Sequence, residues 1–431
     1  MFKATKALAA LAVGALALSA CGGGGGGGGS SSKELKLWHY ETQDSAMGIA
    51  WNQAIKEFEA AHPGVKVKFE EKGFEQIQKT APMVLNSKDA PDILEYNKGN
   101  ATAGLLSKQG LLTDMTAEVT KRGWDKLLPP SVAETAKYDA KGVMGGDKWY
   151  GVPNYAEYLQ VYYNKAMFDK YGIKVPTNFA EFTKAMDTFV SKGVTPLSNA
   201  GAEYPAQQYL YQLALSKADR PWVDRFERYT GKVDFHDQAW TYAANTFSDW
   251  VKKGYIAKNS SGVKAEDAGT SFMSGKFPMF FSGSWWYGRF EKEIKNFQWD
   301  TFLWPDTKMT LGSSGNLWVV PKGSKNKDLA YDFINITMQK EIQNLLADNG
   351  GVPVAGDPSG VKDPKNKKLI ENYQTLANND ALGFYPDWPA PAYYDVLVAG
   401  TQKLITGSAS PSSVLDGFAK PYNENLSNIG H

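Results

Sequence analysis

Leu35 and Leu37 alternate with charged neighbours, a period of two that predicts a strand ending near Trp38-His39-Tyr40. Trp51, Ile55 and Phe58 then recur at helical spacing, and Pro63-Gly64 ends that helix. Val65, Val67 and Phe69 alternate again, and after a further helical stretch Asp92-Ile93-Leu94 reads as a short strand. Strands alternating with helices predict an α/β protein with a largely parallel sheet flanked by helices. In such sheets ligands gather beyond the carboxyl ends of the strands. Tyr40 and Glu41 follow the first strand, and Glu95, Tyr96 and Asn97 follow the third, so all five are early site candidates; each reads equally well as a solvated loop residue.

A second unit starts near Lys148-Trp149-Tyr150-Gly151-Val152-Pro153. Leu159, Val161 and Tyr163 alternate with Tyr158, Gln160 and Tyr162 as a strand of mixed faces. Asn178 and Glu181 have the spacing of a capping box, and Phe179, Phe182, Met186 and Phe189 fill one helical face as core. Further on, Ser271 to Lys276 reads as a short helix closed by Gly275, and Met279-Phe280-Phe281 as a buried strand. Gly283-Ser284 ends that strand, with Ser284 predicted to cap a helix running through Lys295. Trp285 and Trp286 then sit in the first helical turn at a strand's carboxyl end. Adjacent helical residues point about 100° apart, so one packs while the other is free to meet a ligand, unless both lie buried between helices.

Composition narrows the chemistry. The 431 residues carry 47 basic and 46 acidic side chains, which disfavours nucleic acid or a membrane surface as partner. At that length two domains are the expectation. One cysteine excludes a disulfide framework and a cysteine metal site, and four scattered histidines leave little for a histidine-rich one. G-x-S-x-G and HExxH are both absent from the sequence. Nothing implies a cofactor or a metal.

The amino terminus accounts for the cysteine. Lys3 and Lys6 precede an apolar run from Ala7 to Leu18 that is too short to span a bilayer and fits a secretory signal. Leu18-Ser19-Ala20-Cys21 resembles a bacterial lipobox, which makes 1–20 a signal peptide and Cys21 a lipidated residue. Residues 21–32 then form a glycine and serine tether, so the body is expected at the outer face of the cell membrane.

From about Lys33 to the carboxyl terminus the chain resembles the solute-binding proteins of ATP-binding-cassette sugar importers, the family that includes maltose-binding protein. The resemblance rests on Lys148 to Pro153, on Val161-Tyr162-Tyr163-Asn164-Lys165 with Phe168, and on Ser271-Phe272 with Gly275-Lys276. Gly283-Ser284-Trp285 and Val319 to Ser324, followed by Ala330, Phe333 and Ile334, complete it. The implied fold is two lobes, each a mainly parallel sheet flanked by helices, with solute held in the cleft between them. Lobe one would take 33–150 and 312–350, and lobe two 151–311 and 351–431, with crossings near Pro153-Asn154, Gly312 and Gly350-Gly351.

By family position, Asn154, Tyr155, Glu157, Glu203, Tyr204, Gln207, Asp387 and Trp388 would face the cleft, as would Ser284 with the two tryptophans and Ser313-Ser314. The chemistry suits a sugar. Hydroxyl edges need carboxylates and amides, and C–H faces suit the negative faces of aromatic rings. The reading is therefore a monomeric receptor that captures a di- to tetrasaccharide and delivers it to membrane permease subunits. Two alternatives stand beside it: the same fold binding a non-sugar solute, and a secreted glycoside hydrolase, whose clefts also pair acids with rings.

Overall fold

The computed structural model describes residues 33–430; the signal peptide, Cys21 and the glycine tether lie outside the described residues. In chain order the strands are β1 (Lys33–His39), β2 (Val65–Glu71), β3 (Ile93–Tyr96), β4 (Lys137–Tyr138), β5 (Lys148–Trp149) and β6 (Val152–Pro153). They continue with β7 (Ala156–Asn164), β8 (Leu197–Ser198), β9 (Met279–Gly283), β10 (Trp299–Phe302), β11 (Gly312–Ser314) and β12 (Leu317–Val319).

The first sheet has the order β2-β1-β3-β12-β6, and the second has β10-β7-β9-β8 with β11 also paired to β7. β1 is parallel to both β2 and β3, as the alternating pattern predicts, whereas β12 runs antiparallel to β3 and β6. In the second sheet β7 is antiparallel to β9, β10 and β11, so this sheet is mixed and not mainly parallel. The cause is where the chain enters. β1, β3 and β9 run toward the cavity between the sheets and end beside Glu41, Asn97 and Trp285, which line it. β7 and β12 begin at that cavity, beside Tyr155 and Asn316, and run away from it. A strand arriving from the other body must therefore lie antiparallel to the strands of its new sheet.

The change of sheet on the return path falls at Gly315-Asn316, between β11 and β12. Gly350 adopts φ +83° with its Cα against Gly288, where a Cβ would meet it at 2.7 Å. Val352 then forms a bridge to Ala156 at the start of β7.

Local physics accounts for the elements that carry the cavity. The helix Ala46–Ala61 starts where the Ser45 hydroxyl accepts from the Gly48 amide, and it buries Trp51, Ala54 and Phe58. Trp51 meets Trp318 of β12 edge-on at 5.2 Å, which seats this helix against the first sheet. All nine residues of β7 are buried, because helices and loops cover both faces of the second sheet at its centre. In the helix Phe179–Ser191, Phe182, Met186 and Phe189 are core, and Asn178 accepts from the Glu181 amide. The reciprocal half of the expected capping box is redirected: Glu181 accepts from the amide and hydroxyl of Thr177.

Ser284 does not cap a helix. Residues Ser284–Trp286 form a single 3-10 turn before the helix Tyr287–Glu293, and the Ser284 hydroxyl accepts from the Tyr158 amide at 3.3 Å. That bond ties the turn to the start of β7. No helix among the described residues is long and apolar enough to cross a membrane.

Candidate functional site

Strand ends and returning segments from both sheets enclose a cavity of about 210 Å³, partly open to solvent. The first sheet contributes Tyr40 and Glu41 after β1 and Asn97 and Lys98 after β3. The second contributes Tyr155 and Glu157 at the start of β7 and Trp285 beyond β9. Gln207 and Gln208 lie in the first turn of the helix Ala206–Leu215, and the segment with Tyr385, Asp387 and Trp388 completes the wall.

At the floor a buried ion pair joins the two bodies: Lys98 Nζ donates to Glu157 Oε1. The Tyr155 hydroxyl donates to Glu157 Oε2 at 3.1 Å and accepts from the Asn316 amide at 3.0 Å. The same ammonium lies 5.0 Å from the Tyr385 ring and 5.4 Å from that of Trp388, cation–π contacts that hold it centrally. Lys98 therefore knits both bodies and the returning segment together.

The carboxyls around it differ in charge state. Burial, reinforced by Glu95 and Glu157, pushes Glu41 well above the usual carboxylate range. Burial likewise pushes Glu95 up to about 8 and Asp387 up to about 6. Glu41, held neutral near pH 7, can donate as well as accept, whereas Asp387 is mostly ionised at that pH. The cavity thus offers hydroxyl groups both kinds of partner. Several of its polar atoms are buried without one: the Tyr40 hydroxyl, the Trp285 indole nitrogen, and the side-chain oxygens of Gln207 and Gln208.

The two tryptophans divide as their angular separation predicts. Trp286 is 4% exposed, lies flat against Gly269, where a Cβ would meet its ring at 2.3 Å, and stacks on Phe290 at 5.5 Å. It also lines the cavity. Trp285 is half-buried in the cavity wall and meets Tyr204 edge-on at 5.7 Å.

Tyr40, Glu41, Asn97, Tyr155, Glu157, Tyr204, Gln207, Trp285, Trp286, Asp387 and Trp388 are all brought to this cavity. Other candidates lie behind its wall. Glu95 points back along β3 to accept from the Asn154 amide at 2.7 Å, so both serve the strand crossing. Glu203 accepts from the Ala265 amide at 2.9 Å and fixes the start of the helix Ala265–Met273. The Ser284 hydroxyl is engaged by β7, and Ser314 shares a hydrogen bond with Thr135 at 2.7 Å. Ser313 is buried within β11, and Tyr96 faces an adjoining chamber.

Sequence reasoning missed Lys98, Gln208, Arg289, Asn316, Tyr385 and Tyr394, all of which line the cavity. Arg289 lies one helical turn beyond Trp285, so projecting that turn forward would have found it. Lys98, Gln208 and Tyr385 lie within two residues of named candidates. Tyr394 carried no local signal. Among the described residues no group of three or more His, Cys, Asp or Glu side chains is arranged to hold a metal ion.

The family model described as bacterial extracellular solute-binding protein matches residues 53–401. A multiple sugar-binding protein of Streptococcus mutans is 25% identical over 402 residues, covering 91% of each chain. Among solved structures, a chitin oligosaccharide binding protein superposes with a TM-score of 0.77 at 21% identity, over 92% of this chain and 100% of its own. The solute-binding protein RafE in complex with raffinose gives 0.68 at 22% identity, over 91% and 99%. Those two likenesses establish the shared fold, and the matched span, covering most of the chain, establishes the family: this chain belongs to the bacterial extracellular solute-binding proteins.

Proposed function

We propose that this chain is the substrate-binding component of an ATP-binding-cassette importer and captures a neutral oligosaccharide in the cavity between its two sheets. One observation carries the reading: Tyr40, Trp285, Gln207 and Gln208, each with a buried polar atom left without a partner, line the same cavity as a set of aromatic rings. An unpaired buried polar group costs about 1–3 kcal/mol, so these atoms call for a ligand rich in hydroxyls. The rings call for one with C–H faces. Acids of mixed protonation serve hydroxyls, which both donate and accept, better than they serve a strongly charged solute. The family membership and the sugar-binding relative support the same class.

In this reading lobe one is built on the β1 sheet and lobe two on the β7 sheet, and the lobes close over the sugar. The closed form then presents it to membrane permease subunits. Cys21 carries the lipid that holds a monomeric receptor at the outer face of the membrane, with the glycine run as its leash. No chemistry on the sugar is required.

Calorimetry of residues 33–430 against mono- to tetrasaccharides tests capture. Micromolar binding with the sugar recovered intact is the expected result. Silence across the panel moves the reading to a non-sugar solute, and released product moves it to a hydrolase. Labelling with palmitate, lost in Cys21→Ser, tests the anchor separately.

A further inference from the structure

Beside the main cavity lies a second chamber of about 190 Å³, between the helix Phe74–Val84 and the segment that leads into the helix Tyr393–Thr406. Phe74, Asn97, Asp387 and Tyr394 line both spaces and form a collar where they meet. The chamber has the same mixture of rings and polar groups as the cavity. Tyr96 and Tyr393 join Phe74 and Tyr394 in its wall. Both amide atoms of Gln78 are buried there without a hydrogen-bond partner.

Apart from the Asp387 carboxyl at the collar, its charges are balanced or suppressed. Lys79 faces Asp395 across the mouth at 3.9 Å, and burial raises the Glu75 carboxyl toward its neutral form. Beyond the Asp387 carboxyl a charged solute would find no lone counter-charge in this wall, whereas a sugar ring would find faces to lie on and an amide to pair with. The main cavity, about 210 Å³, and the chamber, about 190 Å³, are of similar size and share that collar. The adjoining volume therefore extends the site along its length.

We propose that this chamber is a distal subsite, in which the far end of an oligosaccharide longer than a disaccharide passes the collar and rests against Gln78 and Tyr96. The proposal rests on the sugar-capture reading and adds chain length as a specificity of the same site. Substitutions at Gln78, Lys79 or Pro82, which line the chamber and not the main cavity, should act on long sugars alone.

The test is calorimetry with three ladders of di-, tri- and tetrasaccharide: melibiose, raffinose and stachyose, then the chito- and malto-oligosaccharides. In the ladder that binds, the longer members should bind about tenfold tighter than the disaccharide. Gln78→Trp, which fills the chamber, should erase that gain and leave the disaccharide affinity within about twofold. Gln78→Ala, which removes only the amide, should lose part of the gain, and it carries the test if the larger side chain prevents folding. A ladder that binds with no dependence on length overturns the subsite while capture stands. Equal weakening of every member by Gln78→Trp overturns it as well. Failure of all three ladders removes the capture reading and the subsite with it.

Discussion

At Trp286 the indole ring lies against Gly269 and stacks on Phe290, whereas one residue earlier Trp285 forms part of the cavity wall. Trp286→Ala should therefore cost about 3–5 kcal/mol of stability, the usual result of emptying a buried tryptophan site, and lower the melting temperature. Trp285→Ala should leave melting close to wild type and weaken sugar binding more than about tenfold by calorimetry. Equal effects at the two sites would show that both rings are structural. Asp387→Ala belongs with Trp285, and a loss of more than about tenfold in affinity is expected there, because its sugar partner would be left unpaired. Glu95 is different, being buried behind the wall with Asn154 as its donor. Its carboxyl rises from 4.5 to about 8 in the folded chain, so the native state holds a proton that the unfolded chain releases. The stabilisation this gives is complete below about pH 4.5 and is lost as the pH climbs to about 8. Glu95→Gln keeps an oxygen for Asn154 and carries no titrating proton. Its melting temperature should gain steadily on that of the wild type across that window and run parallel above it; parallel curves throughout would refute the assignment.

The turn after β3 is the element on which the site depends most. Gly99 takes φ +103°, and a Cβ there would meet the Trp388 side chain at 2.5 Å. The Ala101 amide then donates to the Trp388 carbonyl at 2.7 Å, so the turn and the returning segment are packed and bonded as one piece. Gly99→Ala combines a positive-φ, extended conformation open essentially to glycine alone, costing about 1–3 kcal/mol for another residue, with displacement of Trp388 from Lys98. It should lower both melting temperature and sugar affinity, as thermal unfolding and calorimetry would record. Elements like this one mark the limit of sequence reading. Alternation in Leu35 to Leu37 and Val65 to Phe69 made β1 and β2 legible, and helical spacing made the helix Ala46–Ala61 legible. Strand direction in the second sheet was not, because a period of two says which face is buried and nothing of where the chain entered. The same holds for the site. Tyr40, Glu41 and Asn97 were legible as strand-end residues, but Glu95 and Asn154 look identical to them in sequence. The strand register turns their side chains toward each other, and Tyr394 reaches the cavity only through tertiary packing.

Across the whole molecule the two sheets meet through contacts of very different strength. On the surface, Lys292 donates to the Asp44 carbonyl at 2.8 Å, and exposed contacts of this kind contribute about 0–1 kcal/mol. Lys292→Ala should thus shift sugar affinity by less than about fivefold. At the floor, the Lys98–Glu157 pair is removed from water, with side chains 3% and 6% exposed. Breaking one partner of a buried pair costs about 3–5 kcal/mol, because the other charge is left without compensation. Where that cost falls depends on whether the pair supports the fold of one sheet or the approach of two. Lys98 follows β3 in the first sheet and Glu157 lies in β7 of the second, so separating the sheets returns Glu157 to water. Lys98→Met keeps the length and apolar contacts of the side chain and removes the charge. In the ligand-free protein it should favour an opened arrangement, seen in small-angle scattering as a larger radius of gyration, with a modest change in melting temperature. Ligand affinity should fall further than for Lys292→Ala, since a competent form populated less often lowers apparent affinity in proportion. An unchanged radius with a large drop in melting temperature would instead assign the pair to folding, and closure would then have to come from the sugar contacts alone.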